Sequence, residues 1–296
     1  MSWVLLSIVA GFAWAIVNVI DKVVFVRWKL SPEVFFLLIS IAFFLSGVVM
    51  WPFLGFPIPP QQELLLAGIS GCLYFLCFVF YYRALKNEEV SRVVPLWYLS
   101  PLFIIVFAAL FLGERLTYFH IGGVVLLVFG AMTVTARGLF SRPRWGVLGL
   151  MIAADILFAA SAVIGKQLMD GGMDLWTYYA LSRVAGIVVV VPALILLWQP
   201  LCTAIRTNGM TFLWVIGLEE LLNVGGDIAW LLAIGIGSAT LATALSSSQP
   251  FFVLLIVLAL GHVAPRLLDD EVGTRALAQK AFSIASIIVG AILVTS

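Results

Sequence analysis

Ten stretches of about 20 largely apolar residues follow one another along the chain, and each is long enough to cross a bilayer as an α-helix. These stretches are continuously apolar, whereas the strands of a membrane β-barrel alternate between apolar and polar residues over about ten positions. With 63% hydrophobic and 10% charged residues, the chain could not cover a soluble core with a polar surface. The sequence predicts an all-α integral membrane protein with ten transmembrane helices, at residues 3–22, 33–54, 63–84, 90–112, 118–137, 144–166, 174–198, 210–234, 238–262 and 276–295.

The second half of the chain repeats parts of the first. Four residues at the end of span one recur 144 positions later, at the end of span six: Ala15, Val19, Ile20 and Lys22. Five residues of spans three and four recur 149 positions later, in spans eight and nine: Gly68, Ala84, Leu96, Pro101 and Phe103. Each half holds five spans, an odd number, so the two copies enter the bilayer from opposite faces. We predict two inverted five-helix repeats at 1–137 and 144–296, joined by a cytoplasmic linker at 138–143. Inverted repeats are typical of secondary transporters.

Lysine and arginine are distributed unevenly among the predicted loops. Thirteen lie in or next to the loops that lead from an odd-numbered span to the next, even-numbered span. Arg115 and Lys166 lie on the other side of the membrane. Loops rich in basic residues stay in the cytoplasm. We therefore predict that the chain lies in the cell (inner) membrane, surrounded by membrane lipid, with both termini outside. Because the basic residues are spread over five short loops, we expect no nucleic-acid binding.

Several short motifs stand at corresponding places in the two halves. In the first half they are residues 82–85 (Tyr-Arg-Ala-Leu), 99–101 (Leu-Ser-Pro), 111–114 (Phe-Leu-Gly-Glu) and 121–123 (Ile-Gly-Gly). In the second half they are residues 233–234 (Ala-Ile), 248–250 (Ser-Gln-Pro) and 290–291 (Gly-Ala). This pattern resembles the EamA-like members of the drug/metabolite transporter superfamily. The resemblance implies a ten-helix bundle with a central cavity lined by spans one, three, four, six, eight and nine. A monomer is expected, because one chain contains both halves of the bundle.

An ionised side chain in the middle of the bilayer costs roughly 2.5 to 3.5 kcal/mol. Such residues therefore mark candidate functional sites. Five lie deep in spans six to eight: Asp155, Arg183, Glu219, Glu220 and Asp227. Glu219, Asn223 and Asp227 recur every four residues, so they line one helical face. Four acids face one base, which indicates that carboxyl groups carry protons or that a cation occupies the site. We predict that Asp155, Arg183, Glu220 and Asp227 serve coupling and charge balance. In a purely structural alternative, Arg183 pairs with Asp155 or Glu219.

Pro101 and Pro250 occupy equivalent positions within spans four and nine, where each removes a helical hydrogen bond. Helices broken at depth are tolerated where they line a cavity. Aromatic faces nearby can hold an amine by cation–π attraction, and hydroxyl and amide groups can orient a polar head. As an alternative, the serines are small packing residues between helices. The predicted substrate-binding residues are Trp14, Asn18, Tyr74, Trp97, Tyr98, Ser100, Glu219, Asn223, Ser247, Ser248 and Gln249.

The sequence carries no pattern typical of a cofactor or metal site. Its three cysteines and two histidines lack ligand spacing, and it lacks the common hydrolase and phosphate-binding motifs. We therefore predict no enzyme activity and no cofactor, and an intramembrane enzyme is a distant alternative. The leading hypothesis is a secondary active transporter that moves a small polar or cationic organic metabolite by alternating access, as proton-coupled export or exchange. The alternative is a flippase for an amphipathic lipid-linked metabolite.

Overall fold

The computed structural model describes residues 2–28, 30–88, 90–135, 144–261 and 274–296. These ranges are almost entirely α-helical and contain no strand, which confirms the predicted all-α class. The predicted linker at 138–143 lies outside them. The helices are α1 Trp3–Trp28, α2 Pro32–Phe53, α3 Gln61–Asn87, α4 Val90–Trp97, α5 Ser100–Phe107, α6 Tyr118–Thr135, α7 Trp145–Asp170, α8 Leu175–Ala185, α9 Ile187–Ile236, α10 Ala239–Ser246, α11 Gln249–Gly261 and α12 Thr274–Thr295.

Seven helical stretches within the described ranges are long and apolar enough to cross a membrane, and two shorter apolar helices, Tyr118–Val134 and Gln279–Thr295, accompany them. The longest stretch, Leu175–Ile236, has 62 residues. At about 1.5 Å per residue it would be roughly 90 Å long if straight, about three times the thickness of the hydrocarbon core. Gly209 interrupts it with φ 72° and ψ −170°, outside the helical region. Together these stretches make the chain a multi-pass membrane protein.

Two helical stretches are broken next to a proline. α4 ends at Trp97 and α5 begins at Ser100, whereas α10 ends at Ser246 and α11 begins at Gln249. Proline has no N–H group, so Pro101 cannot donate to the carbonyl of Trp97, and Pro250 cannot donate to that of Ser246. The ends of the eight-residue helices α4 and α10 are offset by 149 positions, the same offset as in the sequence repeat.

The helices of the two halves interleave. α1 packs along α9, α10 and α11, and α3 packs along α7 and α8. Ser70 of α3 and Ser161 of α7 each donate a hydrogen bond to the other's backbone carbonyl, at 2.9 Å. α6 and α12 approach closely at Gly123 and Gly290, where a Cβ atom on either glycine would lie within 3 Å of the other's carbonyl oxygen. The core therefore lies between the two halves.

Candidate functional site

A cavity of about 170 Å³ lies between α1, α3 and α4 of the first half and α7, α9 and α10 of the second. Eleven of the residues predicted for the site line it: Trp14, Asn18, Tyr74, Trp97, Tyr98, Ser100, Glu219, Asn223, Asp227, Ser247 and Gln249. Six others do not, namely Asp155, Arg183, Glu220, Ser248, Pro101 and Pro250. The face of α9 that carries Glu219, Asn223 and Asp227 points into this cavity, since all three line it.

Arg183 of α8 forms a buried salt bridge with Asp227 of α9. The hydroxyl of Tyr74 on α3 donates to the other carboxylate oxygen of Asp227, at 3.1 Å. The Arg183 guanidinium lies 3.8 Å from the centre of the Tyr74 ring. The structural alternative, in which Arg183 pairs with Asp155 or Glu219, is therefore wrong about the partner, because the fold brings Asp227 to the guanidinium instead. This arrangement neutralises Asp227 and connects α3, α8 and α9.

Glu219 lies on the cavity wall with 0% of its surface exposed, and neither carboxylate oxygen has a hydrogen-bond partner among the described residues. Asp21 of α1 also lines the cavity, and its Oδ1 is buried and unpartnered within the same ranges. The carboxyl groups of Asp21, Glu219 and Glu220 lie close enough to one another to interact electrostatically. The Asn223 amide donates to Glu220 at 3.2 Å. One end of the cavity is therefore acidic.

The sequence analysis missed Asp21 because it places this residue at the end of span one. Helical spacing was the signal that could have identified it. Trp14, Asn18 and Asp21 follow one another at intervals of four and three residues, so they share one face of α1. All three line the cavity.

Asp155 is buried at 0% exposure in α7, outside the cavity. Neither of its carboxylate oxygens has a hydrogen-bond partner among the described residues. α7 packs along α3 at this level, where Cys77 is close enough for an electrostatic interaction with Asp155. An ionised carboxylate without a partner would be costly in this buried position.

The polar groups at the break between α10 and α11 are largely occupied by hydrogen bonds within the protein. Ser246 donates to the carbonyl of Ala242 at 2.9 Å, and Ser247 donates to that of Thr243 at 3.0 Å. The Gln249 amide donates to the carbonyl of Trp14 at 3.0 Å. This wall of the cavity therefore joins α1 to the broken helix and retains few donors for a ligand.

A series of aromatic rings crosses the cavity from one half of the protein to the other. Phe78 stacks on Trp97 with ring centres 5.6 Å apart, and Trp97 lies 5.5 Å from Phe158. Phe158 stacks on Trp230 at 5.3 Å, and Trp230 lies 6.5 Å from Trp14. All five residues line the cavity. They form a continuous apolar wall that can also attract a cation.

Another contact between the halves lies beyond the cavity, after the π-helical turn Ala108–Leu112 that follows α5. Gly113 adopts a left-handed conformation, with φ 66°, and turns the chain so that Glu114 reaches the start of α10. The Glu114 carboxylate accepts hydrogen bonds from Ser238 Oγ at 2.7 Å, Ala239 N at 2.8 Å and Thr240 Oγ1 at 3.1 Å. An anion at a helix N-terminus is favourable because the first backbone N–H groups lack helical partners.

Several characterised proteins are similar to this chain. The pseudopaline exporter CntI of Pseudomonas aeruginosa is 26% identical over 228 residues, which cover 75% of each chain. Protein RarD of Escherichia coli is 24% identical over 244 residues, or 72% of this chain and 81% of RarD. A protein of known crystal structure, 19% identical, shares the fold with a TM-score of 0.74 over 99% of this chain and 96% of that one.

The first half of the chain matches a known transporter family. Residues 1–136 match the EamA-like transporter family. The apolar helices described above are those of a multi-pass membrane protein. The first half of the chain therefore carries an EamA-like transporter domain.

Proposed function

We propose that this protein is a secondary active transporter of the inner membrane that moves a small polar or cationic organic metabolite by alternating access, as proton-coupled export or exchange. The observation that carries this proposal is Glu219, a fully buried carboxyl group without a partner among the described residues, on the wall of a cavity between the two halves. Buried ionisable groups in a membrane protein mark ion and substrate pathways. The similarity to the exporter CntI favours export as the direction.

The architecture that we propose is ten spans in two inverted repeats, at 1–137 and 144–296. The stretch Leu175–Ile236 counts as two crossings, because its length exceeds one crossing and Gly209 breaks it. With this division, the seven long stretches and the two shorter helices make ten. The equal offset of α4 and α10 supports the repeat. One chain then contains both halves, so a monomer suffices for transport.

Alternating access requires one end of the cavity to close while the other opens. In this structure the two halves are joined beyond the cavity by Glu114 and the start of α10. At the acidic end of the cavity, no salt bridge among the described side chains involves Asp21 or Glu219. The structure thus supports a state in which the Glu114 end is closed.

The charges at the acidic end support proton coupling. Arg183 is already paired with Asp227, so it does not compensate Asp21, Glu219 or Glu220. Three ionised carboxylates side by side in a low-dielectric cavity would be too costly to persist. The group therefore holds protons or a cation in each state of the transport cycle. Exchange of protons for a cationic substrate at this site would couple their movements across the membrane.

The test is the Glu219→Gln variant, which removes the titratable group and keeps the volume and hydrogen-bonding capacity of the side chain. A thermal-shift panel of amines, amino acids, nucleosides and lipid head groups first identifies a ligand, because ligand binding stabilises the native state. Its transport is then measured in proteoliposomes. We expect Glu219→Gln to fold normally and to lose uptake driven by a pH gradient, while part of the counterflow, which needs no net proton movement, survives.

Glu63→Gln is the matched control, since it changes a glutamate in the first turn of α3, outside the cavity. It should transport as the wild type does. If neutral substitutions of Asp21, Glu219 and Glu220 each left the transport rate and its pH dependence unchanged, the proton-coupled mechanism would be wrong. A ligand found among the lipid head groups would favour the flippase instead.

A further inference from the structure

We infer that the cavity takes a monovalent organic cation with an apolar or aromatic body, whose ammonium group binds between the carboxyl groups of Asp21 and Glu219 and whose body lies against the rings of Trp97, Phe158 and Trp230. This inference rests on the proposed function, because it names the substrate class of the same cavity. It adds Asp21, on the first half of the chain, as a binding residue opposite Glu219.

The charges that line the cavity favour a cationic ligand. Of the charged groups that line the cavity, Asp227 is neutralised by Arg183. Asp21 and Glu219 face the cavity without a basic partner among the described side chains. Glu219 is fully buried, so its unpartnered oxygens cannot be satisfied from bulk water. A ligand that donates hydrogen bonds and carries a positive charge would satisfy both groups.

The hydrogen-bond donors of the cavity favour the same charge. Ser246, Ser247 and Gln249, which also line the cavity, already donate to backbone carbonyls. The cavity also has tyrosine hydroxyls, such as that of Tyr98, but these carry no positive charge. A carboxylate or phosphate ligand would therefore find no basic group free to pair with it among the described residues that line the cavity, and it would meet the repulsion of Glu219.

The aromatic rings of the cavity bear on the rest of the ligand. The Phe158 ring lies 5.5 Å from that of Trp97 and 5.3 Å from that of Trp230, and the three rings form a wall of the cavity that Asp21 and Glu219 also line. Such a wall binds an apolar body and also attracts a cation. The other acidic residue of the cavity, Asp227, is occupied by Arg183. Because Asp21 and Glu219 both bind the one ammonium group, a second positive charge on the ligand would have no further unpaired acid among the residues that line the cavity, so one charge fits best.

Three probes that share a phenyl body separate charge from shape: 2-phenylethylammonium, 2-phenylethanol and phenylacetate. Their affinities for the purified full-length protein are measured in detergent by isothermal titration calorimetry. We expect the ammonium compound to bind roughly tenfold or more tightly than the alcohol, a difference of about 1.4 kcal/mol. Phenylacetate should bind most weakly. Equal affinities, a preference for the anion, or no binding of the ammonium compound would overturn the inference.

Substitutions then identify the residues that cause the preference for the cation. Asp21→Asn and Glu219→Gln should each abolish the preference for the cation, whereas Glu63→Gln should retain it. Trp97→Leu should weaken the binding of the ammonium compound and the alcohol alike, because it removes the wall for the phenyl group. Melting temperatures show that each variant is folded. If Asp21→Asn retained the full preference, the assignment of Asp21 would be wrong.

Failure of this inference can be distinguished from failure of the proposed function. If a neutral or anionic ligand from the thermal-shift panel is transported under a pH gradient, the substrate class is wrong and the proposed function stands. If no bound ligand of any charge is transported by the reconstituted protein, the proposed function is wrong, whatever the probes show.

Discussion

Arg183 is only 2% exposed, and three aromatic rings and one carboxylate surround its guanidinium. A buried charge is stable only when it is paired, so each member of the pair depends on the other. The hydrogen bond from Tyr74 adds a second partner for Asp227. At the scale of the residue, this arrangement stabilises the fold beside the cavity.

Arg183→Ala should be strongly destabilising, because it leaves the Asp227 carboxylate buried without its basic partner. We expect a loss of about 3 to 5 kcal/mol in the free energy of unfolding, measured by denaturation in detergent. Arg27→Ala is the control, since Arg27 is exposed and lies 5.3 Å from the Trp28 ring. It should cost about 0.5 to 1 kcal/mol. Equal losses in the two variants would show that the buried pair has no special role.

At the scale of the element, the important features are the two broken helices and the contact of Glu114 with the start of α10. The break between α10 and α11 places Ser246, Ser247 and Gln249 at the cavity, and Glu114 holds the opposite end of α10. A short helix that is held at one end and interrupted beside a proline at the other can pivot about its break. We therefore expect α10 to control access from the Glu114 end.

Glu114→Gln replaces one of the two acceptor oxygens with a donor and removes the charge, so it should weaken the closed state. Hydrogen bonds to charged groups contribute about 1.5 to 3 kcal/mol each. Loss of one should shift the equilibrium toward opening by roughly tenfold or more. The measurement is the rate at which a membrane-impermeant thiol reagent, added on the Glu114 side, labels a cysteine introduced at Thr243, in a protein without native cysteines. Glu63→Gln should leave this rate unchanged. A rate for Glu114→Gln equal to that of the unmodified background would exclude Glu114 from gating.

At the scale of the whole molecule, the distribution of basic residues predicts the orientation in the membrane. A cysteine at Gly138, in the predicted cytoplasmic linker, should not react with an impermeant reagent in intact cells, because basic loops stay in the cytoplasm. A cysteine at Gln62, which is exposed at the start of α3 on the predicted outer side, should react. The reverse pattern would invert the orientation and leave the repeat architecture unaffected.

The sequence by itself determined what depends on local pattern. Apolar runs of membrane length specify helices, because backbone polar groups in lipid must be satisfied within the segment. A spacing of four residues places Glu219, Asn223 and Asp227 on one face, since this follows from helix geometry alone. Pro101 and Pro250 mark positions where a helical hydrogen bond cannot form, and a helix breaks beside each of them.

Only the tertiary structure decided which of these local features meet. Arg183 pairs with Asp227 rather than with Asp155 or Glu219, because the angular position and packing of α8 against α9 select one carboxylate among several at similar depth. Asp21 lies beside Glu219, and Glu114 reaches the start of α10, through contacts between residues more than 100 positions apart. Helical periodicity states which residues share a face. It does not state which face of another helix lies opposite, since that depends on how all the side chains pack together.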